Sequence, residues 1–290
     1  MELFTDILLD ALIDTAKLVP FLFLTYWAME ALEHAAGDKA QAAVKRAGAA
    51  GPLVGALLGA FPQCGFSAAA STFYAGRVIT LGTLYAVYLS TSDEMIPIFI
   101  AEQADPSMLF KILGLKVVIG MLMGFIVDAV LRVAERHQGD KLHIHDLCEQ
   151  DHCGCHDEGG SPLRSAVKHT AQVTLFIFLV SLVLGGIMET VGETAFTNFI
   201  AANPTLSVLA AGIVGLIPNC AASVIITELY LEGTLGFGAM MAGLLVSAGI
   251  GLLVLLRTNR HAGQNVAIIC VLLAMGVAWG LIFQATGITL

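Results

Sequence analysis

Apolar residues run along the chain in eight long blocks separated by polar segments. The blocks cover residues 8–31, 50–75, 79–101 and 109–133 in the first half and residues 166–188, 206–231, 235–256 and 264–286 in the second. Several of them reach or exceed the roughly 20 residues that an α-helix needs to cross about 30 Å of hydrocarbon. Because a helix satisfies its backbone hydrogen bonds within lipid, the pattern predicts an all-α integral membrane protein.

The two halves of the chain repeat each other with an offset of 155 to 156 residues. The most specific matches are Pro62 with Pro218, Cys64 with Cys220, Ser67 with Ser223, Tyr74 with Tyr230 and Gly82 with Gly238. Chance apolar matching explains Leu and Ala identities, but not a Pro-x-Cys motif in register with Tyr and Gly. We therefore predict a duplication, with one membrane repeat over residues 1–134, a linker over 135–163 and a second repeat over 164–290.

The charged loops indicate that the two repeats are inserted in opposite orientations. The loop after the first block is basic in repeat 1 and acidic in repeat 2, and the loop before the last block shows the reverse. The residues concerned are Lys39, Lys45, Arg46, Glu189 and Glu193 in the first pair of loops and Glu102, Asp105, Arg257 and Arg260 in the second. Because Lys and Arg favour cytoplasmic loops, the pattern predicts an inverted repeat.

An inverted repeat needs an odd number of crossings per half, so we interpret the second block of each half as a broken re-entrant hairpin. The block is about 26 residues long, with the Pro-x-Cys motif at its middle, and Arg77 after it joins the cytoplasmic charges if the chain leaves where it entered. Each half then has three spans plus the hairpin, or five helices, giving about ten in all. The bases that this topology leaves off the cytoplasmic side are Lys17, Lys111 and Lys116.

The duplicated motifs predict a substrate site. Proline frees backbone carbonyls near each cysteine, and non-helical backbone at membrane depth is tolerated where it is buried or lines a polar cavity. The side chains that we expect to line this site are Gln63, Cys64, Ser67, Asn219, Cys220 and Ser223. Thiols suit a soft or borderline metal or metalloid, and oxygens suit a harder ion. The alternative is that proline only kinks the helices and that cysteine is a small apolar side chain.

Carboxylates add to the predicted substrate site. Asp93 and Glu94 stand between apolar stretches of the third block, and Glu228 lies in the second arm of the second hairpin. Intramembrane carboxylates are costly and typically mark an ion path or a proton relay. The alternatives are a water-facing span end for Asp93 and Glu94 and a position at the site's mouth for Glu228.

The linker is rich in metal-ligating side chains. Its candidate ligands are His143, His145, Cys148, His152, Cys153, Cys155 and His156. Their spacing fits no standard zinc finger, although imidazole and thiolate bind zinc, copper and similar ions. A solvated, disordered linker is the alternative, and the two are compatible. Outside the membrane, such a segment is suited to sensing, buffering or delivering metal.

Composition agrees with an integral membrane protein. The chain is 57% hydrophobic and 13% charged, whereas a soluble domain is about a quarter charged. The net charge of -9 carries no weight, because in membrane proteins the placement of bases matters more than their sum. There is no GxxxxGK[ST] motif for a nucleotide and no HExxH or GxSxG spacing for catalysis, so we predict a non-enzymatic protein that is driven by an ion gradient or by an external partner.

On the duplicated Pro-x-Cys motifs, the acidic segment at residues 91–97 and the His/Cys-rich linker, the sequence resembles the ten-helix heavy-metal and arsenic efflux proteins. Some members of that family are described as manganese transporters, and the family is distantly similar to the organoarsenical efflux permeases. The resemblance covers almost the whole chain and implies a ten-helix exporter of a heavy-metal or metalloid ion.

The expectation is a multi-pass secondary transporter of the bacterial inner membrane that exports Mn, Zn or an arsenic species, with proton coupling through Asp93 or Glu94. It requires no cofactor, and a transition-metal ion is expected as substrate or linker ligand. Its partners are the metal and lipid, with no nucleic acid and with a homodimer left open. Alternatives are a channel for a small solute, a membrane-embedded enzyme, or a metal sensor in which the linker is the functional part.

Overall fold

The computed structural model describes residues 48–61, 64–92, 95–134, 204–218, 220–259 and 261–288, together with isolated helical positions between 8 and 27 and between 167 and 182. In this part of the chain every regular element is an α-helix or a 3-10 helix, and no strand occurs. The predicted all-α class is therefore confirmed. The predicted linker, including its candidate metal ligands, lies outside the described residues.

The helices of the two repeats follow one another in the same order. In repeat 1 they are α1 (Gly51–Gly59), α2 (Cys64–Ala75), α3 (Leu81–Ser90), α4 (Met95–Ala101) and α5 (Pro106–Ala134). In repeat 2 they are α6 (Pro204–Gly215), α7 (Cys220–Leu231), α8 (Phe237–Val246), α9 (Gly251–Thr258) and α10 (Ala262–Thr286). Each of α7 to α10 begins 156 residues after its counterpart in α2 to α5. The helix order thus recurs at the offset of the sequence repeat.

The turns that follow α2 and α7 have the same backbone conformation at equivalent residues. Arg77 and Gly233, at equivalent positions, are both left-handed, with φ of 58° and 77°. One residue later, the Val78 N–H donates to the Phe73 carbonyl at 2.8 Å, and the Thr234 N–H donates to the Leu229 carbonyl at 2.9 Å. A left-handed residue with such a bond is a common helix C-cap. Both helices therefore end in the same way.

Helices α3 and α8 are buried along nearly their whole length. Among the described residues, three segments are long and apolar enough to cross a membrane: Pro106–Val133, Phe237–Thr258 and Ala262–Thr286. The most apolar window of Phe237–Thr258 is 94% buried, whereas those of the other two are 28% and 33% buried. Large apolar side chains such as Phe110 and Val130 are exposed on α5. In a membrane protein such a face is suited to lipid, so α5 and α10 surround the buried pair.

Glycines let each central helix approach its outer neighbour closely. A Cβ placed on Gly124 of α5 would lie 2.6 Å from the carbonyl oxygen of Gly82 in α3. A Cβ on Gly280 of α10 would lie 2.6 Å from the carbonyl oxygen of Gly238 in α8. Such close helix packing through small residues is a typical source of helix association in membranes, where lipid provides no hydrophobic driving force. The four glycines occupy equivalent positions in the two repeats.

We expect Gly124→Ala to destabilise the protein by roughly 1 to 3 kcal/mol, because the new methyl group would collide with the backbone of α3 and overpack the contact. Gly114→Ala is the matched control, since no atom lies within 4 Å of a Cβ at that position of the same helix. Thermal unfolding in detergent measures both. Equal unfolding temperatures for the two variants would contradict the close contact between α3 and α5.

The third block of each repeat is not the continuous helix that hydropathy predicted. The predicted span 79–101 is divided between α3 and α4, and the predicted span 235–256 is divided between α8 and α9. At the first break the hydroxyls of Ser90 and Thr91 each lie 2.8 Å from a carbonyl of their own helix. Side chains of this kind compete with the helical ladder. At the second break Gly249 is left-handed, with φ of 52°.

Candidate functional site

The two breaks line one small polar cavity in the interior. Its lining residues are Thr91, Ser92, Met95, Lys116, Ser223, Leu244, Ser247 and Gly249. They come from the α3–α4 break, from the α8–α9 break, from α5 and from the predicted second motif. The cavity is large enough for roughly one water molecule. Both repeats therefore contribute backbone and hydroxyl groups to a single enclosed space.

Lys116 is the charged side chain among the described residues that line this cavity. It lies on α5, is only 1% exposed, and donates hydrogen bonds from Nζ to the carbonyl oxygens of Thr91 and of Leu244, the latter at 2.9 Å. These carbonyls belong to the last turns of α3 and α8, where helices leave carbonyls without an intrahelical partner. Partial negative charge also accumulates at a helix C-terminus, so a cation is favoured there. One ammonium group thus joins the broken helices of the two repeats.

A second junction joins α2 of repeat 1 to the start of α9 in repeat 2. Ser71 Oγ lies 2.7 Å from the carbonyl oxygens of both Ser67 and Gly251 and 2.6 Å from the Tyr88 hydroxyl. Tyr88 also donates to the Gly251 carbonyl at 3.2 Å. Ser67 packs so closely here that a Cβ on Gly251 would lie 2.8 Å from the Ser67 Cβ. Residues of the first motif therefore contact the second broken helix directly.

We expect Ser71→Ala to destabilise the folded protein by about 1 to 3 kcal/mol, because it removes the buried hydroxyl that bonds both the Gly251 carbonyl and the Tyr88 hydroxyl. Thr72→Val is the matched control: Thr72 is equally buried, but its hydroxyl bonds only the Ala68 carbonyl of its own helix, at 3.2 Å. Denaturant or thermal unfolding in detergent measures the difference. If Thr72→Val lowers the free energy of unfolding as much as Ser71→Ala does, the hydrogen bonds between the repeats add no more stability than a bond within one helix.

Asp128 is a buried carboxylate with a structural role. Its Oδ1 accepts a hydrogen bond from the Gly82 N–H at 2.9 Å, and its Oδ2 accepts one from the Thr80 hydroxyl at 2.8 Å. Both donors lie at the N-terminus of α3, where an anionic acceptor stabilises the helix. Lys116 lies at the other end of α3. Helix α5 therefore runs antiparallel to α3, with a carboxylate at the N-terminus of α3 and an ammonium group at the C-terminus of α3.

The structure places some of the predicted site residues and leaves others outside its description. Ser67 and Ser223 are buried, and Ser223 lines the cavity. Glu228 is half-buried on α7. Cys64 and Cys220 are the first residues of α2 and α7, but their side chains are outside the description. Four predicted residues fall outside the described residues, in short gaps next to helices: Gln63, Asp93, Glu94 and Asn219.

No group of three or more His, Cys, Asp or Glu side chains that could hold a metal ion occurs among the described residues. That search covers neither the linker ligands nor Asp93 and Glu94. Backbone carbonyls and hydroxyls at the two helix breaks are groups in the described part of the chain that could bind an ion.

Sequence reasoning missed Lys116, Ser71 and Tyr88. It had grouped Lys116 with bases outside the cytoplasmic face, whereas the structure buries this side chain at the helix breaks. The signal was available, because Lys116 lies within the apolar block at residues 109–133 and an ionisable residue inside a membrane segment is a functional candidate by default. Ser71 and Tyr88 gave no comparable signal, since such residues are common in buried helices.

Comparison with known proteins adds the family. A family model described as "Putative, 10TM heavy-metal exporter" matches residues 1–193 and again residues 161–289, which together include nearly the whole chain. The chain belongs to this family. Neither a curated protein nor a solved structure matches the sequence. Membership in this family confirms the resemblance drawn from the sequence, and with it a multi-pass membrane protein of a family described as heavy-metal exporters.

Proposed function

We propose that this protein is a secondary transporter that exports a heavy-metal or metalloid ion, with Mn, Zn and arsenic species as the candidates, through a site between its two repeats. The observation that supports this most is the enclosed cavity at which the α3–α4 and α8–α9 breaks meet. Unwound backbone at the midplane, contributed by two related halves, is the usual construction of substrate sites in secondary transporters. We place the protein in the bacterial inner membrane.

In this proposal the two repeats have inverted topology, and the broken second blocks bring their Pro-x-Cys tips to the cavity. Thiols and carboxamides then complement the hydroxyls and carbonyls already there, which suits a soft or borderline metal. The proposed substrate contacts are Gln63, Cys64, Ser67, Asn219, Cys220 and Ser223, with Asp93, Glu94 and Glu228 as carboxylates. Rocking of one repeat against the other would expose the site to each side in turn.

The position of Ser67 and Ser223 supports this arrangement. Each lies three residues after the cysteine of its motif, and Ser67 packs against the start of α9 while Ser223 lines the cavity. The second arm of the first broken block therefore contacts the broken helix of repeat 2. The second arm of the second broken block reaches the cavity that the two repeats share. We propose that Cys64 and Cys220, at the beginning of the same two helices, face this region.

Flux through purified protein in proteoliposomes tests the proposed function. Vesicles are loaded with Mn²⁺, Zn²⁺ or arsenite, with protein-free vesicles as the control, and release is followed with and without an imposed proton gradient. We expect at least one of these ions to move, and to move faster when protons can flow in the opposite direction. Absence of flux for all of them would refute the proposal, whereas flux indifferent to every coupling gradient would indicate a channel.

Deleting residues 137–160 separates transport from sensing. If the site lies in the membrane, the shortened protein retains flux and changes only its dependence on metal concentration. Complete loss of metal-dependent behaviour, in a protein that still folds, would make the linker the functional part.

A further inference from the structure

The contacts of Lys116 carry an inference beyond export as such. The ammonium group is buried at the meeting point of two helix C-termini and bonds a carbonyl oxygen from each repeat, Thr91 on one side and Leu244 on the other. Carbonyl oxygens converging from two helix ends form a site for a positive charge, because their dipoles all point toward it. Lys116 therefore fills a cation site rather than a gap in packing.

The site is asymmetric between the repeats. The position of α10 equivalent to Lys116 is Leu272, which is fully buried. An apolar side chain thus satisfies the packing requirement at this place in repeat 2. Repeat 1 instead has a lysine at this place, although burying a charge inside a membrane is costly unless it is compensated. A need for positive charge at the break explains this difference, whereas packing alone does not.

The remaining lining gives the site further ligands for a cation. The hydroxyl-bearing residues Ser92, Ser223 and Ser247 line the same cavity as the ammonium group. Hydroxyl and carbonyl oxygens suit hard and borderline cations. Two cations held side by side on these oxygens would repel each other strongly in a site of low dielectric constant. The ammonium and a second cation are thus mutually exclusive there.

We infer that the Thr91 and Leu244 carbonyls form a cation site that the tethered ammonium of Lys116 occupies in this conformation, and that a transported metal ion must displace it. The inference rests on the proposed function only in naming the metal as the competitor. Displacement keeps a positive charge on the carbonyls in both the loaded and the empty form of the site. Lys116 is therefore a positioning residue whose withdrawal makes the carbonyls available.

Chemical rescue in lipid nanodiscs tests the cation site without measuring transport. Lys116→Ala removes the ammonium and leaves room for a small cation, so we expect its unfolding temperature to fall by about 5 °C or more. Methylammonium chloride should restore it in a saturable way, while tetramethylammonium chloride at the same ionic strength should not. Lys116→Met removes the same charge but fills the space, and we expect it to be destabilised without being rescued. Lys111→Ala, at an exposed position of the same helix, is the control for charge loss alone.

A second comparison decides the question if Lys116→Ala does not fold. Lys116→Arg keeps a cation on the carbonyls, whereas Lys116→Ser removes the charge and leaves room for an ion, so we expect Mn²⁺ to bind Lys116→Ser at least about tenfold more tightly than Lys116→Arg. Failure of methylammonium to rescue Lys116→Ala, or equal Mn²⁺ affinity of the Ser and Arg variants, would overturn the inference.

The outcomes also separate this inference from the proposed function. Rescue by methylammonium in a protein that moves no metal would establish the cation site and refute export. Metal flux in wild-type protein without rescue of the alanine variant would establish export and refute the tethered cation.

Discussion

A protein in which Cys64 and Cys220 are both replaced by serine is expected to lose export of soft and borderline metals by about 100-fold or more. The reason is that a thiolate binds Zn²⁺ or an arsenic species far better than a hydroxyl does, and the proposal places one cysteine of each repeat at the substrate. The measurement is initial efflux of Zn²⁺ and of arsenite from proteoliposomes. Mn²⁺, which prefers oxygen ligands, should be affected less than either.

Cys270→Ser is the matched control for the cysteine substitutions. Cys270 is exposed on α10 and lies outside the cavity, so its substitution should leave flux at the wild-type rate. Single substitutions at Cys64 and Cys220 should each reduce flux, because the two cysteines act on one ion. Wild-type flux in the double variant would show that the thiols do not take part in transport. It would favour the alternative in which each cysteine is only a small apolar side chain next to a kinked helix.

Replacing Asp93 by Asn and Glu94 by Gln together is expected to abolish proton-driven flux while leaving the fold intact. Both residues lie between Ser92, which lines the cavity, and Met95, the first residue of α4. A carboxylate at this place can lose and regain a proton as the metal binds and leaves, which an amide cannot do. We expect the rate under an imposed proton gradient to fall by at least about tenfold, to that of the gradient-free state.

The control for these carboxylates is a second acidic pair at the other end of α4. Glu102 and Asp105 are exposed residues between α4 and α5, so Glu102→Gln with Asp105→Asn changes the net charge equally without reaching the cavity. This pair of substitutions should leave proton-driven flux unchanged. If the Asp93 and Glu94 variant also transports at the full proton-driven rate, proton coupling through these residues is wrong, although metal export itself is not.

The fold was predictable to the extent that it depends on hydropathy and on the repeat. Long apolar blocks predicted helices, the repeat offset predicted the equivalent starts of α2 and α7, and the proline of each motif predicted where the second block is interrupted. The apolar blocks reflect exposure to lipid, and the interruptions reflect the missing N–H of proline, so both signals arise from local requirements. Such requirements can be read from the sequence directly.

The break in each third block was not predictable from hydropathy. Thr91, Ser92 and Gly249 occur often in continuous membrane helices, and only their environment makes them end one here. In the structure Lys116 supplies hydrogen bonds to the carbonyls that the breaks release, so the interrupted backbone is stabilised by a residue from another helix. That dependence on a distant residue is why the sequence pattern alone indicated the second block as broken and missed the third.

The most direct test of a single site shared by the two repeats is protection of thiols by one metal ion. In a variant that retains only Cys64 and Cys220, without residues 137–160, labelling of each cysteine by a maleimide is followed as Cd²⁺ is added. We expect one Cd²⁺ per chain to protect both cysteines together, with a single midpoint that disappears when either cysteine becomes serine. Independent protection of the two cysteines, or full labelling of both at saturating Cd²⁺, would refute a site shared by the two repeats.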